Sequence, residues 1–258
     1  PVKDFSAFPK CKAVLCLWAG VETIVGNTTL TQPLCRMVDE GLSRGMTEYV
    51  VGHALRYHLG IDGFIHGQDG TWRPATPPLA KDRPIAILGL GQLGQAAGEA
   101  LVQLGFPVRG WSRRPKSHPS IACYHGEDGL TAALSDAEGV VLLLPNTPDT
   151  ENRLGRREMA LLARGAYVIN PGRGSLIDDE ALLTALDAGQ IGNATLDVFR
   201  VEPLPPEHPY WAHPRVTVTP HIASTTRPDT ASATIAENIR RSEANLPLLH
   251  LVDRRAGY

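Results

Sequence analysis

The chain lacks the features typical of membrane proteins and of nucleic-acid-binding proteins. Its formal net charge is only −2 and its pI is near 6.6, so no strong electrostatic field would attract nucleic acid or an anionic membrane. The longest apolar runs, Val140–Leu144 and Ile85–Leu88, are far shorter than a membrane span requires. Repeats and low-complexity stretches are also missing. We therefore expect small-molecule partners, with no nucleic acid and no membrane among them.

Cysteine is scarce, and its spacing carries no motif. The four cysteines form no CxxC pair and no metal-type pattern, which favours reduced thiols in a cytoplasmic protein without a bound metal. The 258 residues, 43% hydrophobic and 20% charged, are enough for one large or two moderate cores. The composition is that of a soluble globular protein.

A glycine-rich turn lies between a short apolar run, Ile85–Leu88, and a helical pattern that ends at Gly105. This order is typical of a dinucleotide site, in which free N–H groups at a helix N-terminus bind the pyrophosphate. The first glycine would allow the tight turn, the second the approach of the pyrophosphate, and the third close packing of helix on strand. The cofactor-binding residues predicted in this turn are Gly89, Gly91, Gln92, Leu93 and Gly94.

The second predicted strand of this unit, Pro107–Trp111, is not followed by the carboxylate that an NAD site usually carries. Four polar or basic residues occur there instead, and a guanidinium can bind a 2′-phosphate that a carboxylate would repel. The alternative is a solvated basic loop. We predict NADPH as the preferred cofactor, with NADH possible. The residues predicted to select it are Ser112, Arg113, Arg114 and Lys116.

Apolar runs and helical periodicities alternate along most of the chain, which is typical of right-handed crossovers in a doubly wound parallel sheet. The proline-rich stretch Thr71–Pro84 should connect a long helix, with Ser43 as its N-cap, to this α/β fold. The predicted strands are Lys12–Leu17, Leu34–Val38, Ile85–Leu88, Val108–Trp111, Val140–Leu144, Tyr167–Asn170, Ala194–Val198 and Val216–Thr219. The predicted helices include Leu42–Gly67, Asp179–Leu186 and Thr226–Asn245, the last with Ala231, Ile235 and Ile239 among its apolar positions.

Three loops that follow predicted strands carry charged residues suited to acid–base chemistry. Two glycines flank Arg173 and would leave room beside its guanidinium for a small anion, which it could bind bidentately. Glu202 could orient His221, because a carboxylate fixes the imidazole tautomer and favours its protonated form. Taken singly, Arg173 could equally be a turn arginine, Glu202 a solvated loop carboxylate and His221 a capped surface histidine. Their common placement after strands of a nucleotide-binding fold favours a catalytic role.

The motifs together resemble the D-isomer-specific 2-hydroxyacid dehydrogenase family, and within it the glyoxylate/hydroxypyruvate reductase A type. The similarity extends over nearly the whole chain, in LWAGVETI, MTEYVVGHAL, GLGQLG, LLLPNTPDT, NPGRGSLIDDEALL, LDVFRVEPLPP, VTPHIAS and VDRRAGY. Family members more often have alanine where Pro171 stands.

The resemblance implies a role for each part of the site. Arg173 would bind the substrate carboxylate and carbonyl, His221 would donate the proton, and Glu202 would support His221. Asp197 would face the nicotinamide carboxamide. The resemblance also implies substrate contacts from the backbone of Trp18, Ala19 and Gly20, and cofactor contacts from Leu144, Pro145, Asn146 and Thr147, the last two near the adenosine half.

The expected fold class is α/β, with a Rossmann nucleotide domain at residues 42–223 and a smaller flavodoxin-like substrate domain at 1–41 and 224–258. We expect that an N-terminal segment with the first strands of the smaller domain is missing from this sequence. The resemblance implies NADPH-dependent reduction of glyoxylate and hydroxypyruvate to glycolate and D-glycerate, by a homodimer that pairs through Leu42–Gly67.

Three alternative functions are compatible with parts of this pattern. One is a dehydrogenase acting on a larger 2-oxo acid. Another is a nucleotide-sensing, corepressor-like binding protein on the same scaffold. The third is a formate dehydrogenase, which pairs its histidine with glutamine, so that Glu202 argues against it.

Overall fold

Nine strands, eight α-helices and four short 3-10 helices make up the regular structure of residues 2–255 and 257, which the computed structural model describes. Pro1 lies outside the described residues, as do Ala256 and Tyr258 of the motif VDRRAGY. The strands are β1 Val14–Leu15, β2 Leu34–Cys35, β3 Ile85–Leu88, β4 Val108–Ser112, β5 Ala122–His125, β6 Gly139–Leu142, β7 Ala166–Asn170, β8 Ile191–Leu196 and β9 Val216–Val218. The helices are α1 Glu22–Val25, α2 Glu40–His58, α3 Ile61–His66, α4 Gln92–Gln103, α5 Gly126–Leu134, α6 Arg156–Leu161, α7 Asp179–Asp187 and α8 Pro228–Glu243.

The larger sheet has seven parallel strands in the order β5-β4-β3-β6-β7-β8-β9. The strand order reverses at β3, because the chain first adds β4 and β5 on one side and then β6 to β9 on the other. Ligands of doubly wound sheets bind outside the carboxyl ends of the strands at such a reversal. The α/β class and the Rossmann topology predicted from the sequence are confirmed.

Helices cover both faces of this sheet. Alternate side chains of β3 pack against the helices on opposite faces. Ala86 and Leu88 belong to a core cluster that contains residues of α5, α6 and α7. Ile85 and Ile87 point the other way, into a cluster with residues of α2 and α4. All four side chains are fully buried. A strand that is buried on both faces is apolar throughout, which is why the sequence located β3 without error.

The predicted long helix Leu42–Gly67 is two helices, and its predicted N-cap is wrong. Helix α2 ends at His58, and Gly60, with φ of +65°, separates it from α3. The cap is Asp39, whose Oδ1 accepts the N–H of Leu42 at 2.9 Å. Ser43 lies inside the first turn, where its own N–H donates to the carbonyl of Asp39.

The structure differs from the sequence analysis at two further places, both at exposed positions. Strand β5 was not predicted, because at the edge of the sheet it is only partly buried and its sequence ACYH has no apolar run. In α8, Ile239 is half exposed, whereas the neighbouring Asn238 is buried and bonds both the N–H and the carbonyl of Leu249. Ala231 is buried and Ile235 packs on its cluster, as predicted, so Ile239 is the one of the three predicted apolar positions that lies at the surface.

The chain divides into two compact units, residues 1–44 with 224–258, and residues 45–223. The larger unit contains the seven-stranded sheet. In the smaller unit β1 and β2 pair in parallel, and Leu251 forms an antiparallel bridge to Cys35. Its main core cluster contains Phe5, Cys16, Val21, Leu30, Leu34 and Val252. Within residues 2–255 and 257, no helix is long and apolar enough to cross a membrane.

Candidate active site

The loop that carries Arg173 begins where β7 ends, and Asn170 folds it. The Asn170 side chain is almost fully buried, and its Nδ2 donates to the carbonyl of Arg173 at 2.9 Å. Its Oδ1 accepts the N–H of Gly172 at 3.1 Å. One guanidinium nitrogen of Arg173 donates to the carbonyl of Gly172 at 2.6 Å. These bonds fix the backbone on both sides of Arg173 at the carboxyl edge of the sheet.

The two glycines beside Arg173 serve the packing of the backbone. A Cβ on Gly174 would lie 2.1 Å from the carbonyl carbon of Phe199, and one on Gly172 would lie 2.7 Å from the carbonyl oxygen of Leu142. The sequence interpretation, that these glycines leave room beside the guanidinium for an anion, missed this constraint. The close approach shows that the Arg173 loop packs directly on the loop that follows β8.

Glu202 and His221 form the side-chain pair predicted from the sequence. Oε2 of Glu202 lies 2.8 Å from Nδ1 of His221. The other carboxylate oxygen accepts the N–H of Phe199 at 2.9 Å, which holds the carboxylate in place. His221 has a φ of +55°, a conformation that few residues other than glycine adopt. Because Nδ1 faces the carboxylate, Nε2 is the ring nitrogen positioned to exchange a proton with a ligand.

Main-chain hydrogen bonds through Asp197 join the three loops. The N–H of Asp197 donates to the carbonyl of Asn170 at 3.1 Å, and the carbonyl of Asp197 accepts the N–H of His221 at 2.8 Å. The Asp197 carboxylate is fully buried and accepts the N–H groups of Ile222 and Ala223. The loops of Arg173, Glu202 and His221 are thus tied together at the ends of β7, β8 and β9.

The glycine-rich turn has the conformation that its sequence predicts. Gly89 has a φ of +111°, and a Cβ there would lie 2.4 Å from the carbonyl oxygen of Leu143. A Cβ on Gly94 would lie 1.9 Å from the carbonyl oxygen of Gly89, so α4 approaches the turn as closely as backbone allows. A Cβ on Gly91 would meet no atom within 4 Å, and among the described residues no side chain caps α4 at Gly91. The helix N-terminus is therefore open to an anion.

The basic loop after β4 lies against this turn. Nζ of Lys116 donates to the carbonyl of Leu90 at 2.5 Å, and Oγ of Ser112 donates to the carbonyl of Arg114 at 2.8 Å. Arg113 is exposed, with a guanidinium nitrogen 3.2 Å from Oδ2 of Asp149. The side chain of Arg114 is exposed as well. The basic loop therefore contacts the glycine-rich turn through Lys116, and it carries the two exposed arginines Arg113 and Arg114.

The loop after β6 is ordered by its own hydroxyl groups. Oγ1 of Thr150 donates to the carbonyl of Pro145 at 2.7 Å and accepts the N–H of Thr147 at 2.9 Å. Oγ of Ser175 donates to Oδ1 of Asn146 at 2.9 Å, which links this loop to the Arg173 loop. The remaining predicted residue, Leu144, is buried in the core.

Trp18, Ala19 and Gly20 belong to the smaller unit, in the segment between β1 and α1. The indole of Trp18 is exposed, its main-chain N–H donates to Sγ of Cys16 at 3.4 Å, and its carbonyl accepts the N–H of Met37 at 3.0 Å. Ala19 packs on the cluster that contains Met37.

Comparison with known proteins decides the family. The model of the D-isomer specific 2-hydroxyacid dehydrogenase NAD binding domain matches residues 55–223, more than half of the chain. The chain belongs to the D-isomer-specific 2-hydroxyacid dehydrogenase family. Glyoxylate/hydroxypyruvate reductase A of Serratia proteamaculans is 41% identical over 257 residues, which cover 96% of this chain and 82% of that protein. The protein of the same name from Yersinia enterocolitica is 40% identical, and the match covers 100% of this chain and 85% of that protein.

Solved structures of D-isomer-specific 2-hydroxyacid dehydrogenases agree with this assignment. The Xanthobacter autotrophicus Py2 enzyme in complex with NADPH and MES has a TM-score of 0.96 and 44% identity, covering 100% of this chain and 82% of that chain. The NADPH-dependent glyoxylate/hydroxypyruvate reductase of Sinorhizobium meliloti, in complex with NADP and sulfate, has a TM-score of 0.94 and 36% identity, covering 98% and 82%. This member of the family is an NAD(P)-dependent oxidoreductase.

The residues of this dehydrogenase fit a dinucleotide carrying a 2′-phosphate. The N-terminus of α4, which no side chain of the described residues caps, offers main-chain N–H groups, and none of these residues has an atom within 4 Å of a Cβ built on Gly91. Arg113 and Arg114 are exposed at the end of β4, where an NAD-specific site would carry a carboxylate. Residues 2–255 and 257 contain no cluster of three or more His, Cys, Asp or Glu side chains that could hold a metal ion.

Sequence reasoning missed several residues that hold the dehydrogenase site together. Asn170 was recognised as part of a motif but not as the residue that folds the Arg173 loop. Gln95 is a second such residue, because its Nε2 donates at 3.0 Å to the carbonyl of Leu90, which also accepts from Lys116. Thr219 donates its hydroxyl hydrogen to Asp197 at 2.6 Å. The available signals were polar residues at the ends of β7 and β9 for Asn170 and Thr219, and a polar residue within a helical pattern for Gln95.

An open depression of about 450 Å³ lies elsewhere on the larger unit. It is lined by residues of the last turns of α7 and of the segment that precedes β9. His221 follows the opposite, carboxyl end of β9. The lining includes neither Arg173 nor Glu202, so this depression is distinct from the candidate active site.

Proposed function

We propose that the protein reduces small 2-oxo acids, glyoxylate and hydroxypyruvate, to the 2-hydroxy acids glycolate and D-glycerate with NADPH. The observation that carries the proposal is the Glu202–His221 pair, joined through Asp197 to the Arg173 loop at the carboxyl edge of a Rossmann sheet. The curated relatives named glyoxylate/hydroxypyruvate reductase A support the same substrate class.

Arg173 is the proposed anchor for the 2-oxo acid. A guanidinium binds a carboxylate through charge-assisted hydrogen bonds, and it can also stabilise negative charge that develops on an adjacent carbonyl oxygen. Asn170 and the packing of Gly174 on Phe199 hold the backbone of this loop rigid, which reduces the cost of orienting the substrate. For Trp18, Ala19 and Gly20, the proposed role in binding the substrate carboxylate rests on the family resemblance alone.

His221 is the proposed general acid. When bound, NADPH supplies the hydride. Protonated His221 then gives the proton from Nε2 to the carbonyl oxygen, while Glu202 at Nδ1 holds the ring orientation and stabilises the imidazolium before transfer. Both side chains are partly exposed, so the acid can be reprotonated from water after each turnover.

The NADPH preference is proposed to come from Arg113 and Arg114, with Ser112 and Lys116 shaping the loop. Asn146 and Thr147 are proposed to lie near the adenosine half of the cofactor, with further cofactor contacts from Leu144 and Pro145, and Asp197 is proposed to face the nicotinamide. The ion pair of Arg113 with Asp149 is exposed and therefore weak, so a 2′-phosphate can compete for this guanidinium.

Steady-state rates with a panel of 2-oxo acids and both cofactors test the proposal. We expect turnover of glyoxylate and hydroxypyruvate, and faster rates with NADPH than with NADH at equal concentration. A preference for bulkier 2-oxo acids would favour the larger-substrate alternative. Binding of NADPH without turnover of any 2-oxo acid would contradict the proposal and favour a nucleotide-sensing protein.

We also propose that residues 42–223 form the nucleotide domain, that 1–41 with 224–258 form the substrate domain, and that the protein is a cytoplasmic homodimer. The exposed apolar side chains of Ile61, Phe64 and Ile65 on α3 support pairing near the end of the predicted helical region. Light scattering coupled to size-exclusion chromatography should give twice the monomer mass, and a monomer mass would contradict the dimer.

A further inference from the structure

A row of polar side chains on α2 contacts threonine hydroxyls of the sheet. Tyr49, His53 and Tyr57 follow each other at intervals of four residues and so share one face of the helix. The hydroxyl of Tyr57 lies 2.5 Å from Oγ1 of Thr195, and Nδ1 of His53 lies 3.2 Å from the same atom. The hydroxyl of Tyr49 lies 2.7 Å from Oγ1 of Thr219. Thr219 is the residue at which this row meets the candidate active site.

The direction of the Tyr49–Thr219 hydrogen bond follows from the next bond in the series. Thr219 donates its hydroxyl hydrogen to Oδ1 of Asp197 at 2.6 Å. A threonine hydroxyl has only one hydrogen, so Thr219 must accept from Tyr49. Burial raises the pKa of Tyr49, which keeps the phenol protonated and able to donate. The result is a directed chain from Tyr49 through Thr219 to the Asp197 carboxylate.

The Asp197 carboxylate holds the two residues that follow His221. Oδ1 accepts the N–H of Ile222 at 2.9 Å, and Oδ2 accepts the N–H of Ala223 at 2.8 Å. Since His221 itself has a φ of +55°, its conformation depends on such surrounding bonds. A rotation of the Asp197 carboxyl group would therefore release the backbone that aims the imidazole.

We propose that Tyr49 is a positioning residue for His221. Its hydroxyl orders the Thr219 hydroxyl, which in turn fixes the rotamer of Asp197 and hence the main-chain conformation of residues 221–223. The proposal rests on the proposed function, because it assigns Tyr49 to the orientation of the general acid. Tyr49 lies on α2, outside every loop that carries a predicted site residue.

The test compares Tyr49→Phe with Tyr57→Phe. Each variant removes one phenolic hydroxyl from the same face of α2, and each leaves a threonine partner behind, but only Thr219 bonds to Asp197. In Tyr49→Phe we expect kcat with hydroxypyruvate to fall about 3- to 10-fold, the effect of losing one such bond, with the KM for NADPH nearly unchanged. In Tyr57→Phe we expect wild-type kcat.

Amide hydrogen exchange at Ile222 and Ala223 gives a readout that does not require turnover. We expect faster exchange at these two amides in Tyr49→Phe and wild-type exchange in Tyr57→Phe. If the wild-type protein reduces no 2-oxo acid, the proposed function fails, but the exchange rates still decide whether the chain from Tyr49 reaches residues 222 and 223. Unchanged exchange, unchanged kcat, or equal losses in both variants would overturn the proposal.

A double variant guards against a general loss of packing. Thr219→Val removes the link itself, so adding Tyr49→Phe to Thr219→Val should lower kcat no further. Additive losses would mean that Tyr49 acts by a separate route, and would overturn the positioning role.

Discussion

Oε2 of Glu202 lies 2.8 Å from Nδ1 of His221, while Oε1 of the same carboxylate accepts the N–H of Phe199. Both carboxylate oxygens are therefore in use, one holding the loop and one holding the ring. This arrangement fixes which imidazole nitrogen faces the carboxylate and leaves Nε2 for proton transfer. The proposed mechanism depends on this geometry, and the first two predictions test it.

Replacing His221 with alanine removes the proposed acid. We expect kcat for hydroxypyruvate reduction to fall by roughly 10²-fold or more, because the developing oxyanion loses its proton donor. NADPH affinity, measured by fluorescence titration, should change little, since the glycine turn and basic loop are untouched. Near-wild-type turnover would refute the assignment of His221.

Replacing Glu202 with glutamine keeps the shape of the side chain but removes the negative charge beside Nδ1. We expect kcat to fall by about 10- to 100-fold, less than in His221→Ala, because the acid remains but its protonated form loses a charge-assisted partner. The His221→Ala/Glu202→Gln double variant should be no slower than His221→Ala alone. Full additivity in rapid-mixing single-turnover assays would show that the two residues act independently.

Replacing Arg113 and Arg114 together with alanine should change cofactor selection. The KM for NADPH should rise by about 10-fold or more, the cost of losing charge-assisted bonds to a phosphate, while the KM for NADH stays unchanged. Arg240→Ala, which removes an exposed arginine from α8, is the matched control and should leave both KM values unchanged. An equal rise in the KM for both cofactors would argue against 2′-phosphate recognition.

Replacing Gly174 with alanine should separate the Arg173 loop from the loop after β8. A Cβ at 2.1 Å from a backbone carbon cannot be accommodated without movement, so we expect about 1–3 kcal/mol of lost stability and a raised KM for the 2-oxo acid. Gly129→Ala in α5 is the control, because its Cβ would make only ordinary contacts at 3.4 Å and alanine favours helix. Urea unfolding together with steady-state kinetics measures both effects. A Gly174→Ala protein with wild-type KM would contradict the role of this close approach.

Stability should fall in mild acid. Burial, followed by the charge of Arg56, lowers the pKa of His53 below its usual 6.5, and burial lowers the pKa of His58 and His250 in the same direction. Each neutral ring is therefore favoured by folding. The unfolded chain binds these protons first as the pH falls below about 6.5, so the free energy of unfolding should be fully retained above that pH and decline beneath it.

The variant His53→Gln tests the contribution of one ring to this decline. Urea unfolding at a series of pH values between about 7.5 and about 5 should show that His53→Gln loses less stability with falling pH than the wild type does. An identical slope would show that His53 does not contribute.

The central strand, the glycine turn and the charged loops could be predicted from the sequence because each has a local signature. Ile85–Leu88 is apolar throughout since both of its faces are buried, and the turn after it needs glycine at a φ of +111°. Edge strand β5 could not be predicted, because this half-exposed strand has no apolar run. The break at Gly60 and the cap at Asp39 were missed because competing signals, the continuing apolar pattern and Ser43, lay close by in the chain.

By itself, the sequence determined the alternation of strands and helices, the position of the dinucleotide turn and the three residue types proposed for catalysis, since these depend on neighbours along the chain. Only the tertiary structure decided that Gly174 packs on Phe199, that Asp197 joins the loops after β7 and β9, and that Tyr49 reaches Thr219 from 170 residues away. Hydrogen bonds and close packing have ranges of a few ångströms in space. Partners that folding brings together from distant positions leave no mark in the local pattern.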